Sequence, residues 1–163
     1  MGGDYKLHPV KEKGPGGWVT ATKYIEDAPG NWKEENVKIL LDVAEQSVKE
    51  SVTNLRLRGR VIRKKRSVGL IPLYKDSIPR EALDESVLTA QEKLDEHIEV
   101  KLPFCAFNGG SDVWVDVGNK RVGVHILSAY LGMPINEILH IGDQFLNTGN
   151  DFAGKNQGKI IVL

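Results

Sequence analysis

Cysteine is nearly absent from this sequence: Cys105 is the only one among 163 residues. A single cysteine forms no disulfide within its own chain, which favours a reducing, cytoplasmic setting. No apolar run approaches the roughly 20 residues that a membrane-spanning helix needs. The opening residues, MGGDYKLHPV, also lack the apolar stretch of a secretory signal. We therefore expect a cytoplasmic protein without a membrane partner.

An excess of charge of either sign is missing as well. The 22 Lys and Arg residues balance the 22 Asp and Glu residues. This balance gives no electrostatic reason to expect a nucleic acid as partner. One basic run, residues 60–66 (RVIRKKR), has no interleaved aromatic residues. We interpret it as a solvated hairpin, with binding of phosphate, a nucleic acid or an allosteric anion as the alternatives.

Glycine and proline are concentrated in residues 1–30, which we expect to form an irregular entry segment. Asn31 has the position of a helix N-cap, with an acidic residue three positions on. Apolar residues at helical spacing then predict a helix of about six turns. Two β-rich runs, 61–62 and 68–71, predict a hairpin, and a second amphipathic helix is predicted over about 80–96.

From residue 102 on, predicted strands and a helix alternate. They cover residues 102–107, 113–117, 119–131, 138–141 and 160–163. A helix between an apolar strand and a strand that ends in Gly-Asp is typical of a doubly wound α/β sheet, whose ligands bind beyond the carboxyl ends of the strands. The chain stops within strand-like sequence, and from this we expect an incomplete domain.

The acidic segment after the strand predicted over 138–141 is a candidate metal site. Gly142 lets the backbone turn where the strand ends, so that Asp143 projects from the sheet edge. A carboxylate there suits Mg²⁺, which proteins hold with one or two carboxylates together with phosphate and water. Asp151 returns to the same place if residues 149–150 form a turn. The alternative is a loop that only caps the next helix.

A second signal lies at the start of the helix predicted over 119–131. Asn119 is a good N-cap, which places Lys120 and Arg121 in the first turn. Cations there oppose the helix dipole at a cost of about 0.3–1 kcal/mol, and a bound anion would explain them. Two solvated surface cations are the alternative. One helix and one strand separate Lys120 from Asp143, so we expect both at the same edge of the sheet.

A glycine turn, residues 108–112 (NGGSD), lies between the first two strands of this region. Its glycines allow close approach of the backbone, and Ser111 and Asp112 are candidates for binding hydroxyl or amide groups of a substrate. A plain turn is the alternative. A two-carboxylate hydrolase built on Asp112 and Asp116 is excluded, because four strand residues separate them by about 13 Å, beyond the roughly 5–9.5 Å of such pairs.

The stretch LPFCAFNGGSDVWVDVGNK, followed by a helix and LHIGDQFLNTGNDF, closely resembles the C-terminal signature of the IMP-specific 5'-nucleotidases. These enzymes are haloacid-dehalogenase-like phosphohydrolases. The resemblance is nearly continuous over residues 102–152 and looser from residue 31 on. It implies an α/β fold in which residues 101–163 form the C-terminal part of a Rossmann-like core. Residues 31–100 would then form an α+β cap module that supplies nucleobase selectivity.

The resemblance also implies roles for single residues. Lys120 matches the lysine that grips the phosphate, and Asp143 matches the downstream Mg²⁺ ligand, with Asn150 and Asp151 in support. Asp112, together with Ser111, is the implied substrate contact.

The implied activity is Mg²⁺-dependent hydrolysis of a nucleoside 5'-monophosphate, with IMP first, to the nucleoside and phosphate. ATP as an allosteric activator and a homotetramer are implied in addition. No Asp-x-Asp segment ends an apolar strand in this sequence, so we expect the nucleophile and the general acid outside this chain. A catalytically inactive fragment that serves as a nucleotide-binding or oligomerisation module is the alternative.

Overall fold

The computed structural model describes residues 32–155 together with the strand residues 6–7, 19–20 and 159–162. The α-helices in this part of the chain are α1 (Glu34–Asn54), α2 (Arg80–Glu96) and α3 (Lys120–Leu131). The helices predicted over 80–96 and 119–131 are thereby confirmed. None of the helices in the described ranges combines the length and the apolar character that crossing a bilayer requires.

The first helix begins later than its sequence pattern suggests. Lys33 is the N-cap of α1, and its side chain makes no capping hydrogen bond. The cap predicted at Asn31 lies outside the described residues. Glu34 and Glu35 in the first turn favour the helix start through its dipole.

The strands of the described part are short. They are β1 (Lys6–Leu7), β2 (Val19–Thr20), β3 (Gly59–Arg63), β4 (Ser67–Pro72), β5 (Phe104–Asn108), β6 (Val113–Val117), β7 (Leu139–Gly142) and β8 (Lys159–Val162). The antiparallel pairing of β3 with β4 confirms the predicted hairpin. Within the predicted irregular segment 1–30, β1 and β2 pair antiparallel, and the remainder of that segment lies outside the described residues.

Four of these strands form one antiparallel sheet in the order β3-β4-β6-β5. Successive side chains of a strand point to opposite faces, so the valines of β6 share a single face. Both α1 and α2 pack on this face and complete the hydrophobic core. The fully buried residues of helices and sheet include Leu40, Val48, Leu70, Leu83, Val113 and Val115.

Neither α1 nor α2 packs on the opposite face of this sheet, which we call the helix-free face. The strand registers assign side chains to it. They are Arg60, Ile62, Ser67, Gly69, Ile71, Cys105, Phe107, Trp114 and Asp116. The sheet is therefore two-sided, with a closed apolar core on one side and mixed aromatic and polar residues on the other.

The predicted doubly wound order is wrong at β6. The strand before α3 was expected to lie in one parallel sheet with the strand after it, but β6 pairs antiparallel with β4 and β5. The alternation of valine with Trp114 and Asp116 suits a strand with only one buried face, as antiparallel sheets have, whereas parallel strands are apolar on both faces. The boundary predicted between residues 100 and 101 does not coincide with a break in this sheet.

The one parallel pairing among the described strands joins β7 to β8. Leu139 and Ile141 of β7 and Ile161 of β8 are each about half exposed. Ile141 lies directly opposite Ile161. This pair therefore presents an apolar stripe that the described part of the chain leaves uncovered.

Substitutions of two leucines of α2 test which face of this helix packs in the core. Leu83 has no exposed surface, whereas Leu88 on the same helix is 43% exposed. We expect Leu83→Ala to lower the free energy of unfolding by about 2–5 kcal/mol, because it leaves a cavity in the core. Leu88→Ala should lower it by about 1 kcal/mol or less. Urea unfolding measures both, and equal losses would contradict the assigned helix face.

Candidate functional site

The start of α3 is held by its capping residue, as predicted. The Asn119 side chain accepts a hydrogen bond from the Val122 amide at 3.2 Å and donates one to the Phe104 carbonyl at 3.3 Å. The first bond caps the helix, and the second fixes it to β5. Lys120 thus begins α3 directly beyond the carboxyl end of β6.

Lys120 is bound by residues 143–151, which follow β7 and which we call the acidic loop. Its ammonium group donates to Asp151 Oδ1 at 2.5 Å and to Asn150 Oδ1 at 3.0 Å. The Asp151 side chain is 1% exposed, while that of Lys120 is 43% exposed. The carboxylate is therefore the buried anchor of this ion pair, and part of the lysine remains accessible to a ligand.

Both oxygens of Asp151 are engaged. His140 Nε2 lies 3.1 Å from Oδ1, and the Gln144 amide donates to Oδ2 at 3.2 Å. Burial alone would raise the pKa of Asp151, but the hydrogen bonds from Lys120 and Gln144 outweigh it and hold that pKa below its ordinary value. Asp151 is therefore ionised at neutral pH, and each of its oxygens has at least one partner.

Gly142 has a different role from the one predicted. It is not among the glycines with positive φ in the described part, so no unusual turn requires it. A Cβ at this position would instead lie 2.5 Å from the Asp151 carboxyl group. Gly142 therefore lets the carboxylate lie directly against the backbone of β7, and any larger residue would displace it.

Asp143 follows β7 and is exposed. No hydrogen bond or ion pair engages its carboxylate within the described part of the chain, while the amide of the next residue, Gln144, binds Asp151. A free, hard oxygen donor fits Mg²⁺. The described residues contain no group of three acidic, histidine or cysteine side chains that would hold a metal alone. The remaining ligands would therefore be water, phosphate or residues outside the described part.

Asp143 also lines a pocket of about 200 Å³ between the acidic loop, the start of α2 and the β5–β6 turn. Its lining residues are Arg80, Asp84, Asn108, Gly110, Asp143, Gln144, Leu146, Thr148 and Gly149. Arg80 and Asp84 were not among the site residues predicted from the sequence. The signal that found Lys120, a cation in the first turn of a helix, was also present at Arg80.

Residues of β5 and α2 hold the acidic loop in place. The backbone amide of Asn108 donates to the Thr148 carbonyl at 2.8 Å, and the side-chain amide of Asn108 donates to Asp84 at 3.0 Å. Gln91 of α2 donates to the Asn147 carbonyl at 2.8 Å. The loop that carries Asp143 and Asp151 is therefore bound along the edge strand β5.

The remaining predicted site residues lie apart from Lys120. Ser111 and Asp112 belong to the β5–β6 turn, at the opposite end of β6 from α3. Ser111 is exposed, and the Asp112 carboxylate lies against Gly109, where a Cβ would collide with it. The structure thus brings Lys120, Asn150 and Asp151 into contact, whereas the turn reaches Asp143 only across the pocket.

The chain matches the family model of the IMP-specific 5'-nucleotidases over residues 4–161. It is 41% identical over 141 residues to IMP-specific 5'-nucleotidase 1 of Aspergillus fumigatus, covering 85% of this chain and 31% of that protein. The Schizosaccharomyces pombe protein of the same name is 36% identical over 135 residues, covering 82% of this chain and 33% of its own length.

Solved structures of a Plasmodium falciparum IMP-nucleotidase are also similar. The N-terminally truncated, IMP-bound form has a TM-score of 0.81 at 31% identity and covers 90% of this chain and 39% of its own. The ATP-bound form has a TM-score of 0.76 at 30% identity, covering 98% and 37%. This chain spans about a third of the length of the curated relatives it matches.

Asp151→Asn tests the buried anchor. An amide in its place offers a donor where Lys120, His140 and Gln144 already donate, so we expect a loss of about 1–3 kcal/mol in unfolding free energy at pH 7. Because the folded-state pKa of Asp151 is lowered, this stability is complete above the ordinary aspartate pKa of about 3.9. It is lost as the pH falls through the lower folded-state value.

Urea unfolding at pH 7 and below pH 4 measures this effect. Asp143→Asn, in the same loop but without a described partner, should change stability by about 0.5 kcal/mol or less at both values. A loss for Asp151→Asn that does not shrink as the pH falls would contradict the assignment.

Cys105 is expected to be unreactive. Burial, followed by the charge of Asp116, raises its pKa to about 12, and the thiolate is the reactive form. Iodoacetamide at pH 8 should therefore label the folded chain slowly and the urea-unfolded chain at the ordinary rate. Because the sequence has one cysteine, mass spectrometry gives the result directly, and fast labelling of the folded chain would refute it.

Proposed function

We infer a function from one premise: the chain belongs to the IMP-specific 5'-nucleotidase family. We propose that it is part of a Mg²⁺-dependent phosphohydrolase that converts a nucleoside 5'-monophosphate to the nucleoside and phosphate. The proposed substrate is IMP. The IMP-bound Plasmodium falciparum structures support this choice of substrate. Since the chain spans about a third of its curated relatives, the proposal concerns the whole protein to which this segment would contribute.

The observation that carries the proposal is the ion pair of Lys120 with the buried Asp151, which belongs to the same loop as Asp143. Asp151 fixes the position of the ammonium group, so that Lys120 meets a phosphate oxygen in a prepared geometry. Positioned charges of this kind account for most of the catalysis in phosphoryl transfer. In this proposal Lys120 binds the phosphate, and Asn150 and Asp151 hold it in place.

The balance of charge supports the proposal of a metal. The acidic loop carries the carboxylates of Asp143 and Asp151, of which Asp151 is paired with Lys120. The carboxylate of Asp143, which has no partner in the described part of the chain, would alone repel a phosphate dianion. When bound, Mg²⁺ would supply the positive charge that neutralises the phosphate. Asp143 would be its ligand from this chain.

The other parts of the chain would position the nucleoside. We propose that the antiparallel sheet with α1 and α2 is the cap, and that α3 with the β7–β8 pair belongs to the Rossmann-like core. The boundary would then lie near residue 118, instead of the residue 100 expected from the sequence, because β5 and β6 complete the cap sheet. Ser111 and Asp112 would contact the substrate from the turn of this sheet.

Further properties are proposed by family membership. We propose a cytoplasmic homotetramer with ATP as an allosteric activator, and the ATP-bound Plasmodium falciparum structure supports the last of these.

A catalytically inactive nucleotide-binding or oligomerisation module is the second candidate. The specific observation in its favour is that the 163 residues contain no Asp-x-Asp segment, the pattern that supplies the nucleophile and general acid in haloacid-dehalogenase-like enzymes. This module would bind IMP without hydrolysing it in any setting.

Variants of the site residues test the proposal. Titration calorimetry with IMP should show binding that strengthens with Mg²⁺. Lys120→Met should weaken it about tenfold to a hundredfold, the loss expected for one charged hydrogen bond. Asp143→Asn should remove the Mg²⁺ dependence. Lys75→Met, which removes an exposed cation outside the site, is the matched control and should leave binding unchanged.

Phosphate release separates the two candidates. It is measured on this chain alone and on this chain joined to the remaining two thirds of the Aspergillus fumigatus relative. Release by the joined protein, abolished by Asp143→Asn, is the result expected for the enzyme. Binding without release in both settings would favour the inactive module, and the absence of IMP binding would refute both.

A further inference from the structure

The helix-free face of the sheet carries an aromatic row. Trp114 of β6 lies directly opposite Phe107 of β5 on one side and Gly69 of β4 on the other. Both aromatic side chains are half-buried. They are not part of the helix-covered core and have no role in the site built around Lys120.

Gly69 sets how the indole of Trp114 lies. A Cβ at Gly69 would come within 2.6 Å of the six-membered ring of Trp114. The ring therefore rests on the bare backbone of β4, across the sheet, where any other residue would push it away. A tryptophan held in this way presents the opposite face of its ring outward.

Lys64 covers the Trp114 ring in the structure. Its ammonium group lies 3.8 Å from the centre of the Trp114 ring, and its side chain is exposed. A cation–π contact at an exposed site is weak. Stacking of a nucleobase on an aromatic ring is stronger, so a base can displace the lysine side chain into solvent.

The same face extends to the phosphate-binding lysine. Cys105 lies beside Asp116, two residues beyond Trp114 along β6. The Cys105 sulfur is 4.0 Å from the carbonyl oxygen of Asn150, whose side chain accepts a hydrogen bond from Lys120 at 3.0 Å. Two strand residues span about 7 Å, so the acidic loop that holds Lys120 meets this face about that far along β6 from the aromatic platform.

We propose that Trp114 stacks against the purine ring of the nucleoside monophosphate, with Lys64 displaced from the indole and the phosphate on Lys120. This inference rests on the proposed function and adds a specificity-determining residue to it. Phe107 widens the platform to suit a two-ring base. Because stacking tolerates any base, Trp114 supplies affinity and orientation, while polar groups elsewhere distinguish one purine from another.

Fluorescence with Trp114 as the sole tryptophan is the direct test. In the Trp18→Phe, Trp32→Phe double variant, IMP with Mg²⁺ should quench the emission of Trp114 to saturation. Ribose 5-phosphate, which has the phosphate and no base, should bind without quenching. Calorimetry on the otherwise unchanged chain then gives the affinities.

The substitution Trp114→Leu should weaken IMP binding about fivefold to a hundredfold, the range expected for one stacked base, and leave ribose 5-phosphate binding unchanged. Trp114→Phe should retain part of the affinity and guards against misfolding of the leucine variant. Tyr74→Leu, at a fully exposed aromatic residue, is the control and should change nothing.

The outcomes separate the two proposals. Equal affinities for IMP and ribose 5-phosphate, no quenching and no effect of Trp114→Leu would overturn the stacking platform alone. If neither ligand binds the unchanged chain, or if Lys120→Met affects neither, the proposed function fails and the platform fails with it.

Discussion

The buried charge of Asp151 organises the candidate site. Its carboxylate joins the start of α3 through Lys120, the strand β7 through His140, and the acidic loop through Gln144. An ionised group removed from water is stable only when its partners replace its hydration. The positions of Lys120 and Asp143 therefore depend on one carboxylate, and the glycine at 142 exists to admit it.

The antiparallel sheet lies beside the acidic loop and forms the other side of the candidate site. Its alternating residues separate an apolar side, closed by α1 and α2, from a side on which neither of these helices packs. Asn108 and Gln91 then tie the acidic loop to the edge strand β5. The loop, the pocket and the helix-free face are consequently parts of one framework, so a ligand that contacts all three meets groups held at fixed separations.

Local patterns in the sequence were sufficient for the helices, the hairpin and the cap of α3. Asn119 and Lys120 were found because capping and helix charge act within one turn. The strands that pair with β6 were not predicted. The alternation of apolar and polar residues in β6 identifies a half-buried strand, but it does not show which strand lies beside it. Gly142 was predicted to allow a turn, but glycine is required there because the Asp151 carboxylate packs against its backbone. Asp84 joins the site through its hydrogen bond from Asn108, which sequence spacing does not reveal, whereas the first-turn position of Arg80 in α2 was a signal that was overlooked.

The apolar stripe of β7 and β8 has a consequence for handling the protein. Two parallel strands with Leu139, Ile141 and Ile161 facing water do not form a stable unit by themselves. Exposed apolar strand surfaces tend to associate with one another. Preparations of the bare chain will therefore self-associate as concentration rises, unless something else shields that stripe.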